Sequence, residues 1–600
     1  MKNSIIFIMF ILTELLSCSY NSNIRKINNA IYVNISSKLE VTVKPYKIKT
    51  DSITFLFPKT IPGIYSKLRT PPLDYFYALD SLNNHLPINV SVDSFAYTIY
   101  NASKLKTIRY KVKESEITTL SILADGIINK KNLLIINNQS VIGYFKEQQD
   151  SNYVLNIDNK NLQCVSVFNK KNQIFWFKNY QELISTPIIF TSNIDTLSLN
   201  IENVKIHLST IAPYKTITSS TIKKILEPTI KAVFKEISFV KPKEYTFVFI
   251  FNDSINPKIN HSALEHPKSS VYTFFSEPQL SNKKDSLKFV SKLQNIVSHE
   301  LFHLFTPINF SDDDINKFDF QKLELSEHLW LYEGFVEYYS KYILMKNNIL
   351  SDTLFLNDIA YKRMSYNRYE QAGFPLNLAK YSKEIYNKNR LSVFYTVGFM
   401  NALCFDIEIR ESSKNKTTLF NILKSEFLKN KFFNSDSLFV TMDKYLQNND
   451  ISKYSEKYIY GNFYPDYKKY LSKIGVSYSK IKKKPVYSYP IKNISMTNRN
   501  TVKFSLKTPL TTSKEFEICS IDNKPLNSKS FSLIYHRKYE NPKKILITIL
   551  DSTNKKNEQH IQTIKISTPR VPYFDYLQFM DSLAKKQKIM KDKYFNKIIN

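Results

Sequence analysis

The segment that decides the fold of this chain is Ser286-Leu-Lys-Phe-Val-Ser-Lys-Leu-Gln-Asn-Ile-Val-Ser-His-Glu-Leu-Phe-His-Leu-Phe305. Its apolar residues recur at helical spacing along one stripe, so the segment predicts an amphipathic helix that Pro307 would end. His299 and His303 are four residues apart in it and therefore lie on one face, where both imidazoles can reach one metal ion. Glu300 lies beside them, in position to take a proton from a water molecule bound there.

A site of this kind needs a third protein ligand, and a later segment offers one. Trp330-Leu-Tyr-Glu-Gly-Phe-Val-Glu-Tyr-Tyr339 supplies Glu333, and a fourth position is left for water. Gly334 would let two helices approach closely. Glu337, one turn on, is placed to accept a hydrogen bond from a metal-bound imidazole. Two imidazoles and one carboxylate favour zinc, so we expect one zinc ion per chain.

The flanking sequence predicts a multidomain α+β protein. Residues 29–205 contain short strand-like runs separated by turn signals, which is typical of a β-sandwich-like domain. Residues 206–480 are mainly helical, after a strand pair at 245–251 and 270–275. Residues 481–570 predict a small β domain, and residues 571–600 a basic helical tail exposed to solvent.

The first residues are typical of an export signal. Met1-Lys2 precedes the apolar run Ile5 to Leu12, which is too short to span a bilayer comfortably. Leu15-Leu-Ser-Cys18 looks like a bacterial lipoprotein cleavage box. We therefore expect a signal peptide at 1–17, a lipidated Cys18, a tether at 18–28, and a protein exported and lipid-anchored to a bacterial membrane (outer membrane or periplasmic face). An ordinary cleaved signal with an incidental cysteine is the alternative.

Composition excludes several other classes of function. The net charge is +31, but the lysines are spread along the whole chain, so we expect no nucleic-acid partner. The chain has four cysteines, which are too few for a disulfide framework and do not form a cysteine zinc site.

The separated motifs resemble the glycyl aminopeptidase family of gluzincin metallopeptidases. The resemblance rests on the motif at 299–303, on the 29 residues (304–332) that separate His303 from Glu333, and on the Trp330 to Tyr339 segment. Three further matches carry it: Phe57-Pro-Lys-Thr-Ile-Pro-Gly-Ile-Tyr65, Ser262-Ala-Leu-Glu-His266 and Tyr395-Thr-Val-Gly398. The family implies an N-terminal β domain, a thermolysin-like catalytic domain and a C-terminal PDZ domain. Here the last is at most a degenerate PDZ-like module, because no typical carboxylate-binding loop is visible.

The resemblance also implies roles for individual residues. Glu265 would bind the free α-amine of a peptide, and His266 would line the same subsite. Tyr395 would donate a hydrogen bond to the developing oxyanion. Ser262 and Ala263 replace two glycines of the family and Val397 replaces a lysine, so the resemblance does not define the preferred N-terminal residue.

These observations predict a zinc-dependent metallopeptidase, most simply an aminopeptidase, that acts on peptides or proteins. An endopeptidase and a broader aminopeptidase stay open as alternatives. A different class of function is a surface lipoprotein that keeps the fold to bind peptides without turnover, although the retained Glu300 argues against it.

Overall fold

In the computed structural model of the protein, two compact units are resolved within the described part of the chain. One contains the described residues up to Val476 together with those from Met580 onward, and the other is Ser477–Phe579. The described residues are 30–117, 122–158, 162–165, 170–171, 174–253, 261–278, 283–316, 318–371, 377–388, 391–446, 448, 450–482, 491–496, 502–506, 515–521, 524–525, 544–550, 559–565 and 573–596. Cys18 and the predicted signal peptide and tether lie outside them.

The N-terminal region is rich in β-structure, as predicted. Its strands and short helices are β1 Ala30–Ile35, β2 Glu40–Lys44, β3 Ser52–Leu56, β4 Leu73–Leu79, β5 Ile88–Val90, β6 Ala96–Tyr100, β7 Thr107–Val112, β8 Ile127–Lys130, β9 Leu133–Ile136, α1 Asn138–Val141, β10 Tyr144–Phe145, β11 Asn152–Ile157, β12 Gln163–Cys164, β13 Lys170–Lys171, β14 Ile174–Phe177, α2 Tyr180–Ile184 and β15 Ile188–Thr191, with 3₁₀ turns at Ala102–Lys104 and Lys146–Gln148.

These strands form three sheets among the described residues. A seven-stranded sheet has the order β13-β14-β11-β1-β2-β7-β4, and the two four-stranded sheets have the orders β10-β3-β6-β5 and β12-β15-β9-β8. Alternation along β2 buries Val41 and Val43 and turns Thr42, between them, to the other face. The inward side chains of the seven-stranded sheet and of β3 and β6 belong to one hydrophobic core.

A further sheet, of five strands, begins the helical region and positions its first helices. Its strands are β16 Asp195–Ile201, β17 Val204–Ile211, β18 Glu244–Phe251, β19 His261–His266 and β20 Ser269–Phe274, in the order β16-β17-β18-β20-β19. Strands β17, β18 and β20 are parallel, and α3 (Ser219–Glu236) is the crossover between the first two. Strand β19 pairs antiparallel with β20 and forms the edge. The sheet therefore starts at Asp195, upstream of the boundary expected at residue 205.

The rest of this region is mainly helical. Its elements are α4 Lys283–Phe302, β21 Ser311–Asp312, α5 Asp313–Asn316, a π-helical turn Trp330–Phe335, α6 Val336–Lys346, α7 Asp352–Gln371, α8 Leu378–Lys383, α9 Ile385–Lys388, a second π-helical turn Phe394–Gly398, α10 Phe399–Ser412, α11 Leu419–Lys429, β22 Phe432–Phe433, a 3₁₀ turn Ser435–Ser437, α12 Leu438–Asp443, α13 Asp450–Tyr458 and α14 Tyr467–Lys473. Among the described helices, none combines the length and the apolar character needed to cross a membrane.

The N-terminal region and the helical region share one core. Phe320 packs into the N-terminal hydrophobic core, and its carbonyl accepts a hydrogen bond from the Lys59 amide at 2.8 Å. Gln321 Nε2 donates to the Phe57 carbonyl at 2.8 Å. These bonds fix the segment that follows β3 against the helical region, which brings residues 61–65 to the site described below.

The C-terminal tail differs from its prediction. Helix α15 (Lys585–Phe595) is basic, but it buries Met590, Tyr594 and Phe595 instead of lying in solvent. The Tyr594 hydroxyl is 2.9 Å from that of Tyr338, and the Tyr342 hydroxyl donates to the Tyr594 carbonyl at 2.9 Å. The interpretation of a solvated helix is therefore wrong, because three of its side chains are buried and two hydrogen bonds join Tyr594 to α6.

The second unit is a β module. Its strands are β23 Val476–Lys482, β24 Ile491–Met496, β25 Val502–Leu506, β26 Glu515–Ile521, β27 Lys524–Pro525, β28 Lys544–Leu550, β29 Gln559–Lys565 and β30 Tyr573–Phe579. β24 to β29 form an antiparallel sheet, and β23 pairs with β30. The β character predicted for 481–570 is confirmed, and its PDZ-like arrangement stays a prediction.

Candidate metal centre

Helix α4 carries the two histidines on its buried side. Leu293, Val297 and Leu301 are fully buried and hold the helix in place. The imidazole rings of His299 and His303 are 4.7 Å apart, centroid to centroid, and nearly perpendicular. Both side chains are buried, so their ring nitrogens face protein groups instead of bulk water.

The helix ends earlier than Pro307 alone would predict. The last α-helical residue is Phe302, and His303 follows in a tighter turn where Leu304 and Phe305 donate to carbonyls three residues back. His303 Nδ1 is 3.2 Å from the Thr306 carbonyl oxygen. A hydrogen bond from Nδ1 to this carbonyl leaves Nε2 free to face the site.

Glu333 meets the two histidines from the first π-helical turn. Its Oε2 is 3.4 Å from His299 Nε2 and 4.0 Å from His303 Nε2. One ligand atom from each of the three residues lies within 4.8 Å of the others. The Oε2 atom is buried, yet it has no hydrogen-bond partner among the described residues. A buried carboxylate oxygen without a hydrogen bond is costly unless a cation completes its surroundings.

Gly334 and Gly398 bring the two π-helical turns into backbone contact. A Cβ atom on Gly334 would lie 2.6 Å from the Gly398 Cα, which is closer than atoms can approach. The close approach of helices expected at Gly334 is therefore present, and Gly398 is its partner. Since Glu333 and Tyr395 belong to these same turns, the glycine contact sets the distance between them. π-helical turns occur frequently at functional sites.

Glu337 anchors His299 from behind. Its Oε2 is 2.9 Å from His299 Nδ1, an ion-pair contact on the side of the ring where the spacing predicted a hydrogen bond, although the two atoms do not meet hydrogen-bond geometry. Lys341 Nζ lies 3.2 Å from Glu337 Oε1, and Lys362 Nζ lies 2.6 Å from it. Although burial opposes ionisation, these two lysines hold the pKa of Glu337 well below its ordinary value. Glu337 is therefore an anion that fixes the orientation of the imidazole.

Lys362 links this anion to the second π-helical turn. Besides Glu337, its Nζ donates to the backbone carbonyl of Tyr395 at 2.7 Å. The same ammonium therefore ties the support of His299 to the segment that carries Tyr395. Lys362 could not be recognised from the sequence, because nothing in the local pattern marks this lysine, the one lysine of α7, as part of a site.

Tyr395 and Tyr65 both approach Glu333. The Tyr395 ring is 5.6 Å from the His299 ring, and the Glu333 carboxylate acts electrostatically on the Tyr395 hydroxyl. It acts in the same way on the Tyr65 hydroxyl, which comes from the N-terminal region. Burial, reinforced by Glu333, raises the pKa of both tyrosines well above the ordinary value. Both hydroxyls therefore stay protonated and can donate hydrogen bonds. Tyr65 belongs to a motif quoted above, but its place in the site was missed.

Glu265 and His266 lie on the edge strand β19. They line a cavity of about 370 Å³, and Tyr65 and Gly63 also line it. Gly63 has a φ of 81°, which favours glycine, and a Cβ there would lie 3.3 Å from Glu265 Oε1. Burial lowers the pKa of His266 to about 4, so this ring is neutral at physiological pH.

The site concentrates negative charge. Burial raises the pKa of Glu300 well above its ordinary value, although His299 opposes the rise and Glu265 adds to it. Burial also raises the pKa of Glu265. Burial alone would lower the pKa of His299, but Glu333 and Glu337 raise it to about 10. Four carboxylates around two imidazoles therefore attract positive charge, which either protons or a divalent cation can supply.

The donors fit a metal ion. Two imidazoles and a carboxylate form the donor set of many catalytic zinc sites, and the unpartnered Glu333 Oε2 lies where such a ligand is needed. A second group of possible ligands, Glu265, Glu300 and His303, lies beside the first and shares His303. The site therefore has two overlapping donor sets, and mutations can distinguish them.

Two protein-family models match the chain. The Peptidase M61 N-terminal domain matches residues 33–192, and the M61 glycyl aminopeptidase model matches residues 292–395. The second match begins in α4 and ends at Tyr395, so it contains the two histidines, Glu300, Glu333 and Glu337. No curated protein matches the chain.

Solved structures that are similar to this chain include two proteins with the following descriptions. An aminopeptidase N family protein from Idiomarina loihiensis is similar over 94% of this chain and 99% of its own, at 16% identity and a TM-score of 0.70. An M1 zinc metallopeptidase from Deinococcus radiodurans covers 73% of this chain and 94% of its own, at 11% identity and a TM-score of 0.44. At 16% identity, the first likeness shows a common fold.

Proposed function

Because the chain carries a Peptidase M61 N-terminal domain and an M61 glycyl aminopeptidase domain, we propose that it is a zinc-dependent aminopeptidase of the thermolysin-like, gluzincin type. One observation carries the proposal. His299, His303 and Glu333 direct their ligand atoms at one point, and the buried Glu333 oxygen there has no hydrogen-bond partner among the described residues. Glu300, an acid–base residue by position, borders the same point.

Each residue of the site has a task in the proposed hydrolysis. Bound zinc would act as a Lewis acid that polarises the peptide carbonyl and acidifies water. Glu300 accepts a proton as water attacks the carbonyl carbon, and then delivers a proton to the leaving amine as the C–N bond breaks. The protonated Tyr395 hydroxyl donates a hydrogen bond to the carbonyl oxygen as negative charge develops on it. Glu337 keeps His299 oriented throughout.

Glu265 gives the proposed enzyme its preference for a free amine. The carboxylate lines the 370 Å³ cavity, and one of its oxygens lies within 4.8 Å of possible ligand atoms of Glu300 and His303. An α-ammonium placed there would be paired with it. As an edge strand, β19 has backbone groups free to pair with an extended peptide. With the amine at Glu265, the peptide enters the metal site by its first carbonyl, so cleavage removes one residue.

The proposal is tested on purified protein that lacks residues 1–17. We expect about one zinc per chain by atomic emission spectroscopy. We also expect hydrolysis of alanyl-aminomethylcoumarin, loss of that activity on dialysis against 1,10-phenanthroline, and its return with zinc. N-acetyl-alanyl-aminomethylcoumarin should be cleaved at least roughly 100-fold more slowly, because Glu265 is left without its cationic partner. Equal cleavage of the two substrates would indicate an endopeptidase. A metal-free, inactive protein would instead favour the peptide-binding lipoprotein.

We further propose that the protein is exported and anchored to a bacterial membrane through Cys18, where it would meet peptide substrates outside the cytoplasm. The support is the apolar run followed by Leu15-Leu-Ser-Cys18. Expression in a Gram-negative host fed with radiolabelled palmitate should give a labelled protein, and Cys18→Ala should abolish the label. Cys164→Ala, which removes a different cysteine, should keep it. A label that survives Cys18→Ala would contradict the anchor.

A further inference from the structure

A second cavity lies next to the metal centre, at the opposite end of β19 from Glu265. Its volume is about 1030 Å³, and it is lined by His261 to Ala263, by one face of α4 and by Tyr395. The smaller cavity adjoins Leu264 to His266 of the same strand. If the peptide amine binds at Glu265, as in the proposed function, the larger cavity receives the residues on the leaving-group side of the cleaved bond.

The wall of the larger cavity contains a lysine that has no countercharge among the described residues. Lys292 is partly buried, and no described carboxylate forms an ion pair with it. Its Nζ lies 5.9 Å from the centre of the Phe274 ring. Burial lowers the pKa of Lys292 to about 8, which is the expected result for a cation removed from water without an anion beside it. Lys288, one turn earlier, differs: it is 68% exposed and lies 3.6 Å from Asp285.

The position of Lys292 along α4 sets how far it lies from the reacting bond. Lys292 and His299 are seven residues apart, or two helical turns on the same face, so their Cα atoms are about 10 Å apart along the axis. An extended peptide advances about 3.3–3.6 Å per residue. A carboxylate that reaches Lys292 from a carbonyl at the metal centre therefore lies two or three residues beyond that carbonyl.

We propose that Lys292 binds the C-terminal carboxylate of short peptides and so makes tripeptides and tetrapeptides the preferred substrate class. A carboxylate supplies the missing countercharge in a partly buried setting, where a charged hydrogen bond is stronger than in water. A dipeptide places its carboxylate too close to the metal centre to reach Lys292. Longer peptides place their C-terminal carboxylate beyond Lys292. The inference rests on the proposed direction of the peptide across β19.

The kinetic test compares peptides with free and amidated C-termini. We expect wild-type protein to hydrolyse Ala-Ala-Ala and Ala-Ala-Ala-Ala with a kcat/KM roughly 10- to 100-fold above that of their amides, mostly through KM. Lys292→Gln should remove this difference and should change alanyl-aminomethylcoumarin hydrolysis far less, since that substrate has no carboxylate. Lys288→Gln removes one positive charge from the lining of the same cavity. This control variant should keep the difference in kcat/KM between the free acids and the amides. Equal rates for acid and amide in the wild type would overturn the proposal.

A binding measurement separates this inference from the proposed function. Calorimetric titration of Glu300→Gln protein with Ala-Ala-Ala-Ala and with its amide requires no turnover. We expect the acid to bind at least about 10-fold more tightly, and the double variant Glu300→Gln/Lys292→Gln to bind both equally. Equal affinity in the single variant overturns the role of Lys292 even if the enzyme is an aminopeptidase. A clear preference supports it even if the reaction class is different.

Discussion

Glu300→Gln should reduce kcat by about 100- to 10,000-fold, the usual contribution of a positioned general base, and should leave one metal ion per chain. Glutamine keeps the size of the side chain but cannot accept a proton at neutral pH. Burial raises the pKa of Glu300 well above its ordinary value, which increases its affinity for a proton. The measurements are kcat on alanyl-aminomethylcoumarin and metal content of the purified variant.

Glu333→Gln is the matched variant, with the same chemical change a short distance away. It should lose both metal and activity, because it removes the anionic ligand from the set formed with His299 and His303. The pair of variants also decides between the two overlapping donor sets. If Glu300→Gln lost the metal and Glu333→Gln retained it, the ion would belong to Glu265, Glu300 and His303, and the assignment of Glu300 as base would be wrong.

The parts of this site that could be predicted from sequence are those whose positions depend only on residue spacing within one helix or strand. Helical spacing places His299 and His303 on one face without any knowledge of the rest of the fold. Glu337 comes one helical turn after Glu333. Once Glu333 is assigned as a metal ligand, this spacing places Glu337 near the imidazole nitrogen that faces away from the metal. The alternating runs of the first strands were identified for the same reason, since a period of two residues is a local property.

The parts that were missed depend on contacts between distant segments. Tyr65 reaches Glu333 only because the segment after β3 is hydrogen-bonded to residues 320 and 321, and no local pattern encodes that docking. Lys362 was missed because its partners, Glu337 and the Tyr395 carbonyl, come from two other elements. Helix α15 was wrongly assigned to solvent because its apolar residues are few, although Tyr594 is fully buried against α6.

Gly334→Ala should disrupt the site most strongly among substitutions outside the metal ligands. Its φ is not positive, so alanine is compatible with the local backbone and the effect comes from packing alone. The new Cβ would meet Gly398 backbone atoms at 2.6 Å, and backbone atoms cannot rotate away as a flexible side chain can. The two π-helical turns must separate, at a cost of about 1–3 kcal/mol for overpacking. Since Glu333 and Tyr395 lie in these turns, a shift of about 1 Å would reduce kcat/KM about 100-fold.

Gly398→Ala provides the control, because it adds a Cβ atom to the other glycine of the same contacting pair. Its Cβ would lie 3.0 Å from the Gly334 Cα and no closer than 3.6 Å to any other atom, so a few tenths of an ångström of movement relieve the contact. The better helix propensity of alanine, about 1 kcal/mol over glycine, offsets much of that strain. Urea unfolding with and without zinc, together with kcat/KM, should therefore separate the two variants: Gly334→Ala is destabilised and loses metal affinity, and Gly398→Ala stays close to wild type. Equal behaviour of the two would mean that the turns do not meet at this contact, and the distance between Glu333 and Tyr395 would then need another cause.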